Sequence, residues 1–359
     1  MKNWSRRRRW AAGVGAFMLL AGIAGYAYRT PLALWGFDTL FAGHVQDKLE
    51  RTYVPLARTR SGNETGEIPA DPSVYSKQDP FSLLLLGTDQ RDDDEPARSD
   101  TMILSVVRPN DGAILMISIP RDAYVTIPDP EDKRPNDRTR ITHAYAYGGA
   151  DLAVATVEEL FGMRVDHYAS INFEGFRDVI DAMGGISLPI EKDLVNDDKD
   201  HEKFVVRAGQ PSYNGTDALN YVRFREDGGD EVRTKRHHVF VNAMLDKASE
   251  PSQWSKIPRL LDIMGDNFKT DIPPEGVLEL AKTMFAADTR SIYSHTLKGE
   301  GRIEDRSRAW YYYIEEDDLE DMKEMAAAWL DADTALTRLP KPGGTAAPEG
   351  PEESEAEAR

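Results

Sequence analysis

The chain has 359 residues, 40% of them hydrophobic, with a formal net charge of -18 and no cysteine. That length supports one compact domain of roughly 250 residues once a membrane segment and tails are set aside. The acidic balance argues against a nucleic-acid partner, which needs a basic face, and the missing cysteines exclude disulfides and thiolate metal sites.

Residues 1–9 form a basic tail in which Arg6, Arg7, Arg8 and Arg9 precede an uncharged run from Trp10 to Tyr28. The run is near the length that spans hydrocarbon, and the basic end is expected to stay inside. Trp10, Tyr26 and Tyr28 fall where interfacial aromatics belong. The expectation is an uncleaved signal-anchor at 10–28, single-pass in the cell membrane, with the N-terminus cytoplasmic and the main domain outside. A cleaved signal peptide ending near Ala24-Gly25 is the competing reading. Residues 29–79 read as a juxtamembrane segment and linker, because the sequence turns to Gly, Pro, Asp and Ser between Ser61 and Pro80. The main domain is expected over 80–333, followed at 334–359 by an acidic tail too poor in apolar surface to order itself.

Three short apolar runs open the domain, Phe81 to Leu86, Met102 to Val107 and Ile114 to Ile119, and read as buried strands. Helical spacing follows at Ala150 to Phe161 and at Phe173 to Met183, with a strand at Val165 to Ile171 between them. Further helices are expected at Thr216 to Val222, Val232 to Lys247, Trp254 to Met264, Pro274 to Ala286 and Asp318 to Leu330. Strands apolar on both faces need cover on both sides. The fold class is therefore α/β, a three-layer α-β-α sandwich with a central mixed sheet, preceded by one N-terminal transmembrane helix.

Charged residues gather at the strand ends. Gly87-Thr88-Asp89 follows the first run, Arg98-Ser99-Asp100 precedes the second, and Pro120-Arg121-Asp122 follows the third. If the first two strands are antiparallel neighbours joined by Gln90 to Ala97, then Asp89, Arg98 and Asp100 share one sheet edge, where open α/β sheets bind ligands. Two carboxylates there suit a hard cation such as magnesium, although an acidic loop that merely caps strand ends is the plain alternative. A second cluster is basic, with Arg223, Arg225, Arg233, Lys235 and Arg236 close in sequence and His237 beside them. In an acidic chain this suggests a clamp for an anion, since the arginine fork donates two parallel hydrogen bonds to phosphate. Arg98, Arg121 and Arg140, also near element ends, extend the set.

Six segments, in order and spacing, resemble the LytR-CpsA-Psr domain. They are Leu-Gly-Thr-Asp ending at Asp89, Arg98 to Leu104, Ile119 to Asp122, Arg140 to Tyr145, Tyr221 to Arg225 and Asp230 to Arg236. The likeness covers roughly Phe81 to Ala248. It implies a domain that binds a polyprenyl pyrophosphate, its lipid in a groove between sheet and helices and its phosphates on arginines with Mg2+ (Mn2+ as the substitute). Asp89 and Asp100 then correspond to metal ligands, and Arg98, Arg121, Arg223, Arg225 and Arg233 to the pyrophosphate-holding arginines. Arg140 stands where the family often has lysine. Arg236 is followed by His237 in place of a frequent glutamine, which leaves the polar contact there open.

By this resemblance the activity is that of a phosphotransferase. It attaches a lipid-linked anionic glycopolymer, wall teichoic acid or similar, to peptidoglycan, with magnesium and arginines neutralising the phosphoryl charge while a sugar hydroxyl attacks in line. Arg98 and Arg121 are the expected catalytic cations. Asp122, like Asp230, is a candidate base or a carboxylate that orients an arginine. Apolar residues of Ala144 to Phe161 and Phe173 to Met183 are assigned either to the lipid groove or to ordinary core. The alternatives are a noncatalytic anchored binder of carrier lipid or wall polymer, and a lipid-pyrophosphate hydrolase.

Overall fold

A computed structural model describes residues 50–57, 79–89, 97–128, 137–197, 203–224, 229–274, 276–277, 279–280, 283, 291–304 and 308–343. The expected signal-anchor, most of the linker, the loop 90–96, Arg225 and the end of the tail lie outside these residues. The central sheet has six strands in the order β10-β3-β2-β1-β6-β9: β1 (Phe81–Thr88), β2 (Ser99–Arg108), β3 (Ala113–Ile119), β6 (His167–Asn172), β9 (Phe268–Thr270) and β10 (Ser291–Thr296). β1 and β2 are antiparallel, as are β2 and β3, whereas β1 with β6 and β3 with β10 run parallel. The sheet is mixed, as expected.

Alternation along β1 separates its two faces. Ser82, Leu84, Leu86 and Thr88 are buried, and Phe81, Leu83, Leu85 and Gly87 are partly buried. On the Leu84 face, Leu104, Ile117 and Tyr168 share one core with helix α1 (Thr142–Phe161) and helix α6 (Glu316–Leu330), through Ala153, Val157, Met322 and Trp329. Helix α1 is longer than the apolar spacing from Ala150 predicts, because it is broken: Gly148 and Gly149 leave helical geometry, Gly149 with φ of 62°. That left-handed backbone needs glycine, so the periodicity of the second half cannot run back through the first. Ala144, Ala153, Val154, Val157 and Phe161 of this helix are buried in that core.

A smaller core gathers Ile180 of α2 (Phe173–Ala182), Ala218 and Tyr221 of α3 (Gly215–Arg223), and Leu194 and Val206 of the hairpin β7 (Leu194–Asn196) and β8 (Phe204–Val206). α3 leads towards α4 (Gly229–Ser249), and α5 (Ile257–Asn267) precedes β9. Beyond the main sheet, β4 (Tyr124–Ile127) pairs with β5 (Asp137–Arg140), and β11 (Gly299–Ile303) with β12 (Trp310–Ile314). Folded structure passes both expected boundaries. Val54 donates its N–H to Thr270 O at 2.8 Å, and at the other end Trp329 Nε1 donates to Pro340 O at 2.9 Å while Leu339 is buried.

Candidate functional site

The ends of β1, β3 and β10 and the start of β2 meet at one edge of the sheet, and the charged residues collect there. Asp89 follows β1 directly. Its N–H donates to Arg98 O at 3.1 Å and its Oδ1 accepts the Arg98 N–H at 2.7 Å, which fixes the mouth of the loop. The β1–β2 register slips between Gly87 and Thr88, which pair with Thr101 and Ser99 and leave Asp100 as the bulged residue. A bulge re-aims a side chain at a sheet edge. Arg98 has an exposed side chain, available to a ligand.

From Asp100 a line of alternating charges runs outward. Arg121 Nη1 donates to Asp100 Oδ1 at 2.8 Å, and its Nε lies 3.4 Å from Asp122 Oδ2. The other oxygen of Asp122 is 3.3 Å from Arg140 Nε, and Arg223 Nη2 stands 4.0 Å from Asp100 Oδ2. Arg223 is seated over the Phe173 ring, 4.8 Å from its centroid. Burial acts to lower the Arg121 pKa, but the charges of Asp100 and Asp122 outweigh it and hold the guanidinium even more firmly protonated than usual. Five expected residues thus converge: Asp100, Arg121, Asp122, Arg140 and Arg223. Asp122 bridges two arginines.

Two expected phosphate contacts are folded away. Arg236 is 6% exposed, its Nη1 donating to Phe224 O at 3.0 Å and its guanidinium lying 5.1 Å from the Phe224 ring centroid. His237 Nε2 stands 3.0 Å from Val222 O, and since a carbonyl only accepts, that nitrogen carries the proton. Both side chains brace the chain where α3 ends, because the start of α4 turns back on that corner. Arg233 lies within α4, and its side chain and Arg225 fall outside what is described.

The residue that sequence reasoning passed over is His143, in the first turn of α1. Its Nδ1 lies 2.9 Å from Thr139 Oγ1 and its ring meets Tyr147. Burial lowers its pKa, the charges of Arg98 and Arg140 lower it further, and Asp122 only partly opposes them. An unfolded imidazole takes its proton near pH 6.5, whereas the folded one resists, so this contribution to stability is full above that value and is lost as pH falls through it. In His143→Gln, the drop in melting temperature between about pH 7.5 and about pH 5.5 is therefore expected to be smaller than in the parent. An equal drop in both proteins would remove His143 as its source.

Comparison with known proteins gives a consistent result. The LytR_cpsA_psr family matches residues 43–328. Two relatives carry the name polyisoprenyl-teichoic acid--peptidoglycan teichoic acid transferase TagU. The one from Oceanobacillus iheyensis is 31% identical over 89% of this chain and 93% of its own length; that from Halalkalibacterium halodurans is 32% identical over 79% and 88%. Among solved structures, TagT bound to LIIa-WTA superposes with a TM-score of 0.59 at 30% identity, covering 77% of this chain and 99% of TagT. The Streptococcus agalactiae protein gbs0355 gives a TM-score of 0.63 at 26% identity, covering 76% and 94%. With residues 43–328 matched by the family and most of its length shared with these relatives, this chain belongs to the LytR-CpsA-Psr family.

Proposed function

We propose that this protein transfers an anionic glycopolymer, carried on a polyprenyl lipid through pyrophosphate, to peptidoglycan through a phosphodiester bond, and that residues 10–28 anchor it with the main domain outside the membrane. One observation carries the reading: the unbroken line Arg223, Asp100, Arg121, Asp122, Arg140 at the ends of the strands. Neutralising two adjoining phosphates in an acidic protein needs such a local cationic array. The activity named for the TagU relatives agrees with it. We assign the lipid chain to the sheet face opposite the main core, an apolar side that carries partly buried Leu83 and Leu85 with Ile103 and Met116 buried beside them and ends at Gly87 next to Asp89.

In the reaction, an acceptor hydroxyl oxygen bonds to the phosphorus that carries the polymer, and its proton passes through water to the departing phosphate. The bridging P–O bond breaks, and polyprenyl phosphate departs. Arg121 and Arg223 hold the phosphate oxygens, Arg98 closes from the loop mouth, and Asp122 fixes Arg121 and Arg140 in place.

Asp89 and Asp100 suit Mg2+, or Mn2+, in donor chemistry. Asp89 accepts the Arg98 N–H at Oδ1, and the Oδ2 of Asp100 is 4.0 Å from Arg223 Nη2. Among the described residues no third acidic or histidine side chain completes a cage, so the other positions fall to phosphate and water. When bound, such an ion supplies charge neutralisation at the phosphates. Asp89→Asn is expected to raise the magnesium needed for half-maximal lipid-pyrophosphate binding by about tenfold or more. An unchanged requirement would take Asp89 out of the metal set.

The test of the whole reading uses full-length protein in detergent micelles with a lipid-pyrophosphate-linked saccharide, peptidoglycan oligomers and magnesium. Covalent saccharide on peptidoglycan is the expected product. Release of free saccharide phosphate would make the protein a hydrolase, and tight binding without turnover would make it an adaptor.

A further inference from the structure

Next to Asp122 the chain builds a second surface from the two small hairpins. Tyr312 donates its N–H to Asp122 O at 2.9 Å and bridges to Ala123, so β12 lies alongside β4. One face of this joined unit is core: Ala123, Val125 and Ile127 are buried. Strand alternation sends Tyr124, Tyr311, Tyr313, Arg138, Arg140 and Arg302 to the other face, where ordinary solvated strands carry small polar groups. The three tyrosines touch, with Tyr124 4.5 Å from Tyr311 and 5.3 Å from Tyr313 between ring centroids. Each ring is flanked by an arginine: Arg138 at Tyr124 (4.8 Å), Arg140 at Tyr311 (5.5 Å) and Arg302 at Tyr313 (3.7 Å).

Resting on the transferase reading, we propose that this tyrosine–arginine platform holds the acceptor, a peptidoglycan glycan strand. Pyranose rings present flat C–H faces that stack on aromatic rings, phenolic hydroxyls bond sugar hydroxyls, and the arginines take the carboxylates that the strand's peptides carry. Position decides between acceptor and donor. Arg140 belongs to both surfaces, donating to Trp310 O at 3.0 Å while standing 3.3 Å from Asp122, so a sugar on the platform adjoins the phosphate line. In-line displacement brings the attacking oxygen from the side opposite the leaving group. The apolar sheet face beside Leu83 and Leu85 receives the departing lipid at the Asp100 end of that line, and the platform lies at its other end.

The experiment is co-sedimentation of the full-length protein, in detergent micelles, with peptidoglycan sacculi stripped of attached polymer. Tyr311→Ala/Tyr313→Ala is expected to weaken retention by about tenfold, a stacking loss comparable to that of a base on an aromatic ring. Tyr311→Phe/Tyr313→Phe should stay within about threefold, because stacking survives loss of the hydroxyls. Binding of polyprenyl pyrophosphate should be unchanged in both. Arg302→Gln, which leaves the aromatic packing in place, should weaken sacculus retention most at low salt, and it decides the matter should the alanine pair fail to fold. Retention equal to the parent's in a folded alanine pair, or in Arg302→Gln at low salt, would overturn the proposal. An equal loss of lipid-linked donor binding would also overturn it, by giving the platform to the donor. A parent protein that binds sacculi yet forms no covalent product would sink the transferase reading and leave the platform standing.

Discussion

Arg121→Ala is expected to lower transfer by about a thousandfold with little change in fold, the scale on which a transition-state arginine acts in phosphoryl transfer. The expectation follows from where the guanidinium sits. It is the middle link between two carboxylates, 2.8 Å from Asp100 and 3.4 Å from Asp122, with 28% of its side chain exposed. Without it, Asp100 and Asp122 face the phosphates with less cation between them, so the site repels what it should hold. Lysine restores a charge but not a fork, and one ammonium cannot serve both carboxylates and a phosphate. Arg121→Lys should therefore recover only part of the rate, leaving it about a hundredfold below the parent. Because the pair is partly solvated, the cost in stability should stay near about 1 kcal/mol. The measurement is covalent saccharide formed per minute on peptidoglycan oligomers, alongside a thermal melt. An alanine variant that keeps a tenth of the parent rate would remove Arg121 from the reacting centre.

Much of this site can be read from the chain because its parts lie at strand ends, and strand ends are what short apolar runs show best. The runs at Phe81, Met102 and Ile114 became β1, β2 and β3, so Asp100 and Arg121 meet where an antiparallel order requires. The basic cluster read less well. Helical spacing places Arg233 and Arg236 on one face, but it does not say which tertiary contact each side chain will take, and the α3 corner took Arg236. His143 was hidden for a different reason. A neutral imidazole has no signal of its own in a sequence, and its surroundings are complete only once Arg98, distant in the chain, stands near it. The later strands escaped notice because Ser291–Thr296 mixes serine, histidine and threonine with few apolar residues, and because β11 carries two glycines. Gly301 is there for space: a Cβ on it would run into the Trp310 ring.

Far from the site, Arg108→Met is expected to destabilise the protein by about 3–5 kcal/mol, the cost of breaking a buried charge cluster from one side. Arg108 ends β2 and is 4% exposed. Its Nε pairs with Asp111 at 2.6 Å, and its terminal nitrogens donate to Trp329 O at 2.8 Å, Asp331 O at 2.9 Å and Thr334 O at 2.8 Å. Those carbonyls belong to the end of α6 and the turn beyond it, where a helix has no partners of its own and carries negative partial charge. One side chain thus fastens the last helix to the sheet, and with it Trp329, which is fully buried against the main core. Methionine fills much of the volume and satisfies none of the carbonyls. The expected consequence is a lower urea midpoint with an unchanged slope, read by tryptophan fluorescence, and unchanged transfer per folded molecule. A midpoint like the parent's would mean that water replaces the guanidinium at the end of α6, and the order seen from Asp331 to Leu339 would then need another cause.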